Sequence, residues 1–318
     1  MYKKKKISLV IPAYNEQKLI KPTLENVPLT IDKVYVVDDC STDNMANVVR
    51  ECTKKDPRIE LIQHKRNMGV GQGIITGYQK STKEGYDITV VIGGDNQMNL
   101  ADLDVFLEPL VNNEADYTKG NRFIYAKGRP DVMPFKRLLG NSILSMMVKF
   151  ASGYYKIFDT QDGYTAITKE MIERVNWDKD AWKGYGYPGD FLIVLNVYGA
   201  RVKDVPRRAI YLSGERQSQI KIFKYILKVA PLYWKKFHWR LWKKYFLSDF
   251  NPLVFFYIFS FIVIPIGVIL GVRVFYFAWI GAAPTNETIL SVFLLLAGFQ
   301  SLFFAMLFDM RANEKLQP

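Results

Sequence analysis

The chain has 318 residues, 49% hydrophobic and 14% aromatic, so it is long enough for one large domain or for a domain plus an appendage, and too apolar to be disordered. Its 43 Lys and Arg residues outnumber 31 Asp and Glu, and the formal charge of +12 predicts an anionic partner: nucleic acid, a phosphorylated substrate or a membrane surface. Two cysteines and two histidines argue against a disulfide framework, a histidine zinc site and a Ser-His triad. The apolar run after the basic start is too short for a signal peptide.

Residues 7–122 alternate between short apolar runs and amphipathic segments, which predicts a mostly parallel sheet with helices on both faces. Strands are predicted at residues 7–11, 34–37, 59–62, 88–92 and 117–122. Helices are predicted from near residue 44, from the glycine run 69–73 through about residue 83, and over 102–111. Pro12 is expected to end the first strand, and Ser41 or Asp43 to cap the first of these helices. The Gly69-x-Gly71-x-Gly73 run has neither the spacing nor the position of a dinucleotide-binding fingerprint.

Carboxylates follow several of the predicted strands. Glu16 comes after the first strand, Asp38 and Asp39 end the second, and Asp95 follows the fourth after Gly93-Gly94. Since parallel strands end at one edge of a sheet, these groups should converge there and suit a nucleotide. Asp95 and the Gln97 amide beside a glycine turn would suit a divalent cation that holds a diphosphate. The alternative is a solvated loop.

Basic residues gather in the middle of the chain. Five cations lie within sixteen positions, directly before an apolar helical run: Arg122, Lys127, Arg129, Lys136 and Arg137. Such a cluster suits a phosphate carried on a lipid, and a solvated basic loop is the alternative. Further on, residues 182–188 interleave glycine and aromatic side chains, as a mobile loop over a site would.

The last third of the chain has the pattern of a membrane protein. Residues 216–248 contain no acid and alternate Lys or Arg with aromatic residues, which predicts two interfacial helices separated at Pro231. The runs 251–272 and 288–308 are uncharged and each has about the twenty residues that a membrane span needs. They favour a membrane over a soluble apolar domain, and a lipid surface over nucleic acid as partner of the basic segment. The positive-inside rule then places the preceding domain on the cytoplasmic side.

At this point the chain resembles the family 2 glycosyltransferases of the GT-A fold, in the branch of dolichyl-phosphate mannose and polyprenyl-phosphate glucose synthases. The resemblance covers roughly residues 6–220, and the first two of its motifs are the specific ones. The motifs are Ile11-Pro12-Ala13-Tyr14-Asn15-Glu16, Val37-Asp38-Asp39-Cys40-Ser41-Thr42-Asp43, Asn67-Met68-Gly69-Val70-Gly71, Gly120-Asn121-Arg122, Asp159-Thr160-Gln161-Asp162-Gly163-Tyr164, and Val205-Pro206 with Gly214-Glu215.

The resemblance implies a membrane-bound inverting transferase that moves a hexose from a nucleotide sugar, of the GDP-mannose or UDP-glucose type, to a polyprenyl or dolichyl phosphate. It implies a Rossmann-like GT-A catalytic domain at 1–215, interfacial helices at 216–248 and a two-helix transmembrane region at 249–318. Mg²⁺ or Mn²⁺ is the expected cofactor. The expected partners are both substrates and the lipid membrane, with no nucleic acid, and a homo-oligomer is compatible with the sequence.

The resemblance also implies roles for individual residues. Donor nucleotide positions are Pro12, Ala13, Tyr14, Glu16, Asp38, Asp39, Gly69 and Asp95. Asp95 and Gln97 match metal positions, while Arg122, Lys136 and Arg137 match acceptor-phosphate positions. Asp95 and Arg122 are the expected catalytic residues.

One departure stands out. The family usually has Asp-x-Asp at the metal site, and here Gly93 takes the first position, which removes a carboxylate ligand. Two alternative functions therefore stay open: transfer to another lipid acceptor such as diacylglycerol, and a catalytically weak nucleotide-sugar-binding membrane protein. The Gln-x-x-Arg-Trp run of processive members is absent from the sequence, which argues against polymer extrusion.

Overall fold

A computed structural model describes residues 1–125, 135–208, 222–248, 250–282 and 284–318. The chain divides into two compact units. Unit 1 comprises Met1–Phe237 with Lys315–Pro318, and unit 2 comprises His238–Glu314. Each is described by itself below.

Unit 1 is built on a seven-stranded mixed sheet with the order β3-β2-β1-β4-β6-β5-β7. The β1–β2, β2–β3, β1–β4 and β5–β7 pairs are parallel, and β6 runs antiparallel to β4 and β5. The strands are β1 Ile7–Ala13, β2 Lys33–Asp38, β3 Ile59–Gln63, β4 Ile88–Val91, β5 Tyr117–Asn121, β6 Thr165–Thr168 and β7 Val202–Pro206. The prediction of a mostly parallel α/β sheet is confirmed.

The helices of unit 1 fill the connections between these strands. They are α1 Ile20–Glu25, α2 Met45–Lys55, α3 Val70–Lys83, α4 Leu103–Val111, α5 Arg122–Tyr125, α6 Phe135–Ser152, α7 Lys169–Arg174, α8 Trp177–Asp180, α9 Tyr187–Val197 and α10 Ile222–Arg240, of which the last three residues belong to unit 2. The predicted end of α3 at Lys83 is confirmed, and the helix begins at Val70, inside the glycine run. The Asp43 carboxylate accepts the Met45 N–H at 3.1 Å, so Asp43 rather than Ser41 satisfies the start of α2.

The central strands are buried on both faces, which is why they read as continuous apolar runs. Helices on one face enclose a core that includes Leu9, Val36, Val90 and Phe106. Since β1, β2 and β4 are parallel neighbours, Ala13, Asp38 and Val91 end at the same edge of the sheet. That edge positions the site described below.

The two proline predictions were wrong. Strand β1 continues through Pro12, which pairs with Val37 of β2. Strand β4 has already ended opposite Val10, so proline's missing N–H breaks no ladder on that side. Pro231 lies inside the single helix α10 instead of separating two helices. Because proline has no N–H, only the Leu227 carbonyl loses its hydrogen-bond donor within the helix, and Leu227 is exposed.

Unit 2 contains a π-helical segment, Leu241–Leu247, and two long helices, α11 Leu253–Trp279 and α12 Thr285–Ala312. The long helices have mean hydropathies of 2.8 and 2.2, and at 1.5 Å per residue each is about 40 Å long, enough to cross a hydrocarbon core. They pack closely where glycine allows it: a Cβ at Gly298 would lie 2.6 Å from Ile264. Helix α11 begins just inside the predicted run 251–272 and continues past its end, whereas α12 extends beyond both ends of the run 288–308.

Candidate active site

A cavity of about 260 Å³ lies at the carboxyl edge of the sheet in unit 1. Strand ends β1 and β4 form its floor through Pro12, Val91 and Gly93, and Asp95 projects from the turn after β4. Its other lining residues come from distant parts of the sequence: Val70, Ile92, Met98, Gln161, Gly163, Tyr185, Gly186, Tyr187, Pro188 and Tyr225. The lining thus combines three tyrosine side chains with one carboxylate, that of Asp95.

Asp95 is half-buried, and burial raises the pKa of its carboxyl group above the ordinary value. Its Oδ1 atom accepts the Gln97 N–H at 3.3 Å, and the Arg207 guanidinium partly opposes the effect of burial. A Cβ at Gly93 would lie 3.0 Å from the same Oδ1 atom. The Asp95 carboxylate thus occupies the space from which a side chain at position 93 would begin.

These residues fit a divalent cation only in part. In the described ranges no three His, Cys, Asp or Glu side chains come together as a metal cluster. Asp95 nevertheless offers a desolvated carboxylate to a cavity, the arrangement that a bound cation would stabilise. The protein can therefore supply one carboxylate, and a diphosphate and water would have to supply the remaining oxygens.

The predicted nucleotide residues Asp38 and Asp39 are buried, and their carboxylates hold the polypeptide itself. Asp39 accepts the N–H groups of Met68 and Gly69 at 2.8 and 2.7 Å, and pairs with His64 Nδ1 at 2.8 Å. Asp38 accepts from the Ser41 N–H and the Gln63 amide. Asp39 therefore connects the end of β2 to Gly69. Gly69 directly precedes α3 and has a φ of 92°, a conformation that favours glycine.

A buried network of charged groups follows β5 and β7. Arg122 donates to both oxygens of Asp159, at 2.6 and 2.9 Å, and its Nε lies 3.3 Å from Asp162. Burial alone would raise the pKa of Asp159, but the Arg122 guanidinium outweighs it and lowers that pKa. Lys119 is fully buried and donates to the Asp162 carbonyl. The predicted acceptor residue Arg122 is thus held in place by two aspartates.

Arg207 connects this network to the segment that follows Asp95. Its Nε donates to Asp162 at 2.6 Å, and its Nη1 donates to the Gln97 carbonyl at 3.2 Å. Its positive charge also acts on Asp95, since it lowers the pKa of that carboxyl group against the effect of burial. Sequence reasoning missed Arg207, although it directly follows the Val205-Pro206 pair of the last family motif.

Of the predicted site residues, Pro12 and Asp95 line the cavity. Ala13 is buried and its carbonyl accepts the Asp39 N–H, while Tyr14 is 44% exposed. The carbonyl of Glu16 receives the first N–H groups of the α1 turn, and Gln97 contributes its carbonyl to Arg207. The side chains of Lys136 and Arg137 lie outside what the structure describes.

Three further lining groups escaped sequence reasoning. Tyr187 is partly buried and packs its ring against Phe191, and burial raises the pKa of its hydroxyl well above the ordinary value. A Cβ at Gly163 would lie 2.9 Å from the Tyr187 hydroxyl, so the glycine of the Asp159–Tyr164 motif keeps room for that ring. Tyr225 belongs to α10, far along the chain. For Tyr187, the alternation of glycine and aromatic residues over 182–188 was the signal that the sequence offered.

The chain resembles known proteins both in sequence and in fold. The model of the family described as "Glycosyl transferase family 2" matches residues 8–175. The UDP-N-acetylglucosamine–dolichyl-phosphate N-acetylglucosaminyltransferase of Methanococcus voltae is 30% identical over 220 residues, which are 65% of this chain and 86% of that protein. The polyprenol monophosphomannose synthase of Mycolicibacterium smegmatis is 26% identical, over 62% of this chain and 75% of that protein.

Solved structures share the fold. Glucosyl-3-phosphoglycerate synthase from Mycobacterium tuberculosis, in complex with Mn²⁺, UDP and glucosyl-3-phosphoglycerate, superposes with a TM-score of 0.53 at 14% identity. The match covers 74% of this chain and 80% of that one. The expected GT-A fold is confirmed.

Proposed function

Because the chain belongs to glycosyl transferase family 2, we propose that it transfers a hexose from a nucleotide sugar to a polyprenyl or dolichyl phosphate, with inversion at the anomeric carbon. The relatives from Methanococcus voltae and Mycolicibacterium smegmatis, whose names give dolichyl phosphate and polyprenol as acceptors, support the acceptor class. The observation that carries the proposal is the cavity at the sheet edge, which the Asp95 carboxylate lines and next to which the Arg207 guanidinium binds the Gln97 carbonyl.

The residue inventory suits this reaction. An acceptor phosphate oxygen is anionic at neutral pH, so it attacks the anomeric carbon without a protein general base. The carbon–oxygen bond to the nucleoside diphosphate breaks as the new bond forms, and a single displacement inverts the anomeric centre. The protein must align two anions and offset their repulsion, and we propose that Arg207, which Asp162 fixes and which binds the Gln97 carbonyl near Asp95, supplies this positive charge.

We propose that Asp95 and the Gln97 segment would hold Mg²⁺ or Mn²⁺ together with the donor diphosphate. The cation would offset the charge that develops on the leaving diphosphate. The structural relatives bound to Mn²⁺ with UDP, or to Mg²⁺ with UDP, support this cofactor class. With Gly93 in place of a carboxylate, we expect the cation to bind weakly until the diphosphate is present.

We propose that α11 and α12 span a membrane and that unit 1 lies on its cytoplasmic side. The basic character of residues 216–248 supports this sidedness, since loops rich in Lys and Arg stay in the cytoplasm. The segment connecting the two helices carries only Arg273 and Glu287 as nearby charges. Catalytic domain, interfacial segment and transmembrane region at 1–215, 216–248 and 249–318 remain our assignment of the domains.

A donor screen tests the proposed function. Purified full-length protein in nanodiscs is supplied with a polyprenyl phosphate and, in turn, with GDP-mannose, UDP-glucose and UDP-N-acetylglucosamine, with MnCl₂ or EDTA. We expect one donor to yield a labelled polyprenyl-phosphate sugar whose formation EDTA suppresses. Product on diacylglycerol instead would favour the other lipid acceptor. Donor binding without any product would identify a nucleotide-sugar-binding protein.

Arg207 is expected to matter far more than its neighbour. Arg207→Met removes the guanidinium that Asp162 positions beside the Gln97 segment, and we expect transfer to fall by about 10²-fold or more. Arg208→Met is the matched control, because Arg208 is exposed and its backbone N–H, which binds Asp102, is unchanged. Initial rates at saturating donor measure both variants. Equal rates for the two would remove Arg207 from the site.

A further inference from the structure

Residues 182–188, called the wall loop below, line one side of the cavity through Tyr185, Gly186, Tyr187 and Pro188. The loop is held between two helices of unit 1, α3 and α10. Helix α10 also reaches the cavity directly, because Tyr225 is one of the lining residues. The way in which α10 holds this loop has a consequence beyond sugar transfer itself.

On the α3 side, the backbone of the wall loop packs against glycines. The Lys183 carbonyl accepts the Gln72 N–H at 3.0 Å. A Cβ at Gly69 would lie 2.5 Å from the Lys183 carbonyl oxygen, and one at Gly71 would lie 2.5 Å from that of Trp182. Only glycine permits this approach, so the wall loop is seated against the segment that Asp39 fixes.

On the α10 side, two polar side chains hold the loop. The Tyr233 hydroxyl donates to the Gly186 carbonyl at 3.1 Å, and a Cβ at Gly189 would lie 2.6 Å from that hydroxyl. The Lys236 ammonium lies 3.2 Å from the Asp190 carboxylate and also donates to the Asp180 carbonyl. Asp190 is fully buried and accepts the Trp182 N–H at 2.6 Å. Lys236 therefore acts on the first residue of the wall loop through Asp190.

The other face of α10 is turned outward. Leu227 is 75% exposed and Trp234 52% exposed, and exposed lysines alternate with them: Lys224, Lys228 and Lys235. Basic and apolar side chains on one helical face suit the headgroup region of an anionic bilayer. One helix thus presents a lipid-binding face outward and two loop-holding side chains inward.

We propose that α10 couples contact with an anionic lipid surface to the shape of the cavity, with Tyr233 and Lys236 as positioning residues that hold the wall loop. The proposal rests on the proposed function, since it takes the cavity to be the donor site and the outer face to meet a membrane. Lipid contact fixes α10, α10 fixes residues 182–190, and the wall of the cavity is complete only then.

Hydrogen–deuterium exchange on the full chain in nanodiscs tests the coupling. We expect amides 183–189 to exchange about ten-fold faster, or more, in Lys236→Met than in wild type, because a charge-assisted contact to a buried carboxylate is lost. Lys83→Met is the matched control: it removes the same charge from an exposed position at the end of α3, outside the lipid-facing side of α10, and leaves Asp190 paired. Equal exchange in the two variants overturns the role of Lys236.

Tyr233→Phe is a second test of the coupling in case Lys236→Met does not fold, because it removes only a hydroxyl group. We expect the same loop to exchange several-fold faster, whereas Tyr2→Phe, which also loses one hydroxyl hydrogen bond, leaves it unchanged. Wild type in phosphatidylcholine alone should likewise exchange faster in the loop than in phosphatidylcholine with phosphatidylglycerol. No response of the loop to lipid charge would refute the coupling.

The two proposals can fail separately. UDP and GDP with MnCl₂, titrated by calorimetry in both lipid compositions, report on the cavity without sugar transfer. If exchange in the wall loop depends on lipid charge but no donor gives product, the proposed function is wrong and the coupling stands. If sugar is transferred but exchange in the wall loop changes neither in Lys236→Met nor with lipid charge, only the coupling is wrong.

Discussion

Asp95→Asn is expected to lower the rate of sugar transfer by about 10²- to 10³-fold while leaving the protein folded. The substitution removes the one carboxylate that lines the cavity in the described part of the chain and keeps its size. With no second carboxylate at Gly93, nothing in the turn after β4 can replace it as an anionic ligand. Rates under saturating donor, with MnCl₂ varied, measure the effect.

The same substitution should act in the opposite direction on stability. Burial raises the pKa of Asp95, so its ionisation costs the metal-free folded state free energy as the pH rises from the ordinary value of an aspartate to the raised one. Above that window Asp95→Asn should be at least as stable as wild type. Thermal unfolding in EDTA at several pH values checks this.

A pH profile follows from the raised pKa. Cation binding requires the carboxylate, so Mn²⁺-dependent binding of a nucleoside diphosphate should weaken on acidification at a higher pH than for an ordinary aspartate. Asp104→Asn, an exposed acid on α4, serves as the control and should leave rate, pH profile and stability unchanged. If Asp95→Asn and wild type respond identically to MnCl₂, Asp95 does not hold the metal.

Local patterns were sufficient for much of the fold. Continuous apolar runs such as Ile88–Val91 identified strands buried on both faces, and the glycine-rich start of α3 marked a helix packed against other backbone. Pro231 misled because a proline disrupts a helix only where its missing hydrogen bond or its ring cannot be accommodated. Local propensity carries no information on that surrounding structure.

The site was less accessible from sequence because its parts are assembled over long distances. Asp95 could be placed from the end of one strand, whereas Gln161 and Tyr225 reach the same cavity from elements that no short-range pattern connects. The sequence also could not distinguish a charge that binds substrate from one that binds the protein. Arg122 and Asp39 illustrate this, since buried partners hold both within the fold.

Asp309→Leu is expected to cost about 3–5 kcal/mol of the free energy of unfolding, the largest stability effect predicted for this chain. Asp309 and Arg240 are both fully buried in unit 2, and the guanidinium donates to the two carboxylate oxygens at 2.9 and 2.7 Å. Removing the carboxylate leaves a buried cation without its counter-charge. Tyr245 and Asn313 also donate to Asp309, at 2.6 and 2.8 Å, and would lose their acceptor.

The cost should come from the unpaired cation and not from the loss of the pair as such. Arg240→Leu combined with Asp309→Leu should therefore recover most of the lost stability, because apolar side chains replace both charges. Glu287→Leu is the control: its pair with Arg273 joins α12 to α11 at 3.1 Å but is partly exposed, and such pairs contribute at most about 1 kcal/mol. Unfolding of the full chain in mixed micelles, followed by tryptophan fluorescence, measures all three. A cost for Asp309→Leu no larger than that of Glu287→Leu would show that the pair does not anchor Leu241–Leu247 to the end of α12.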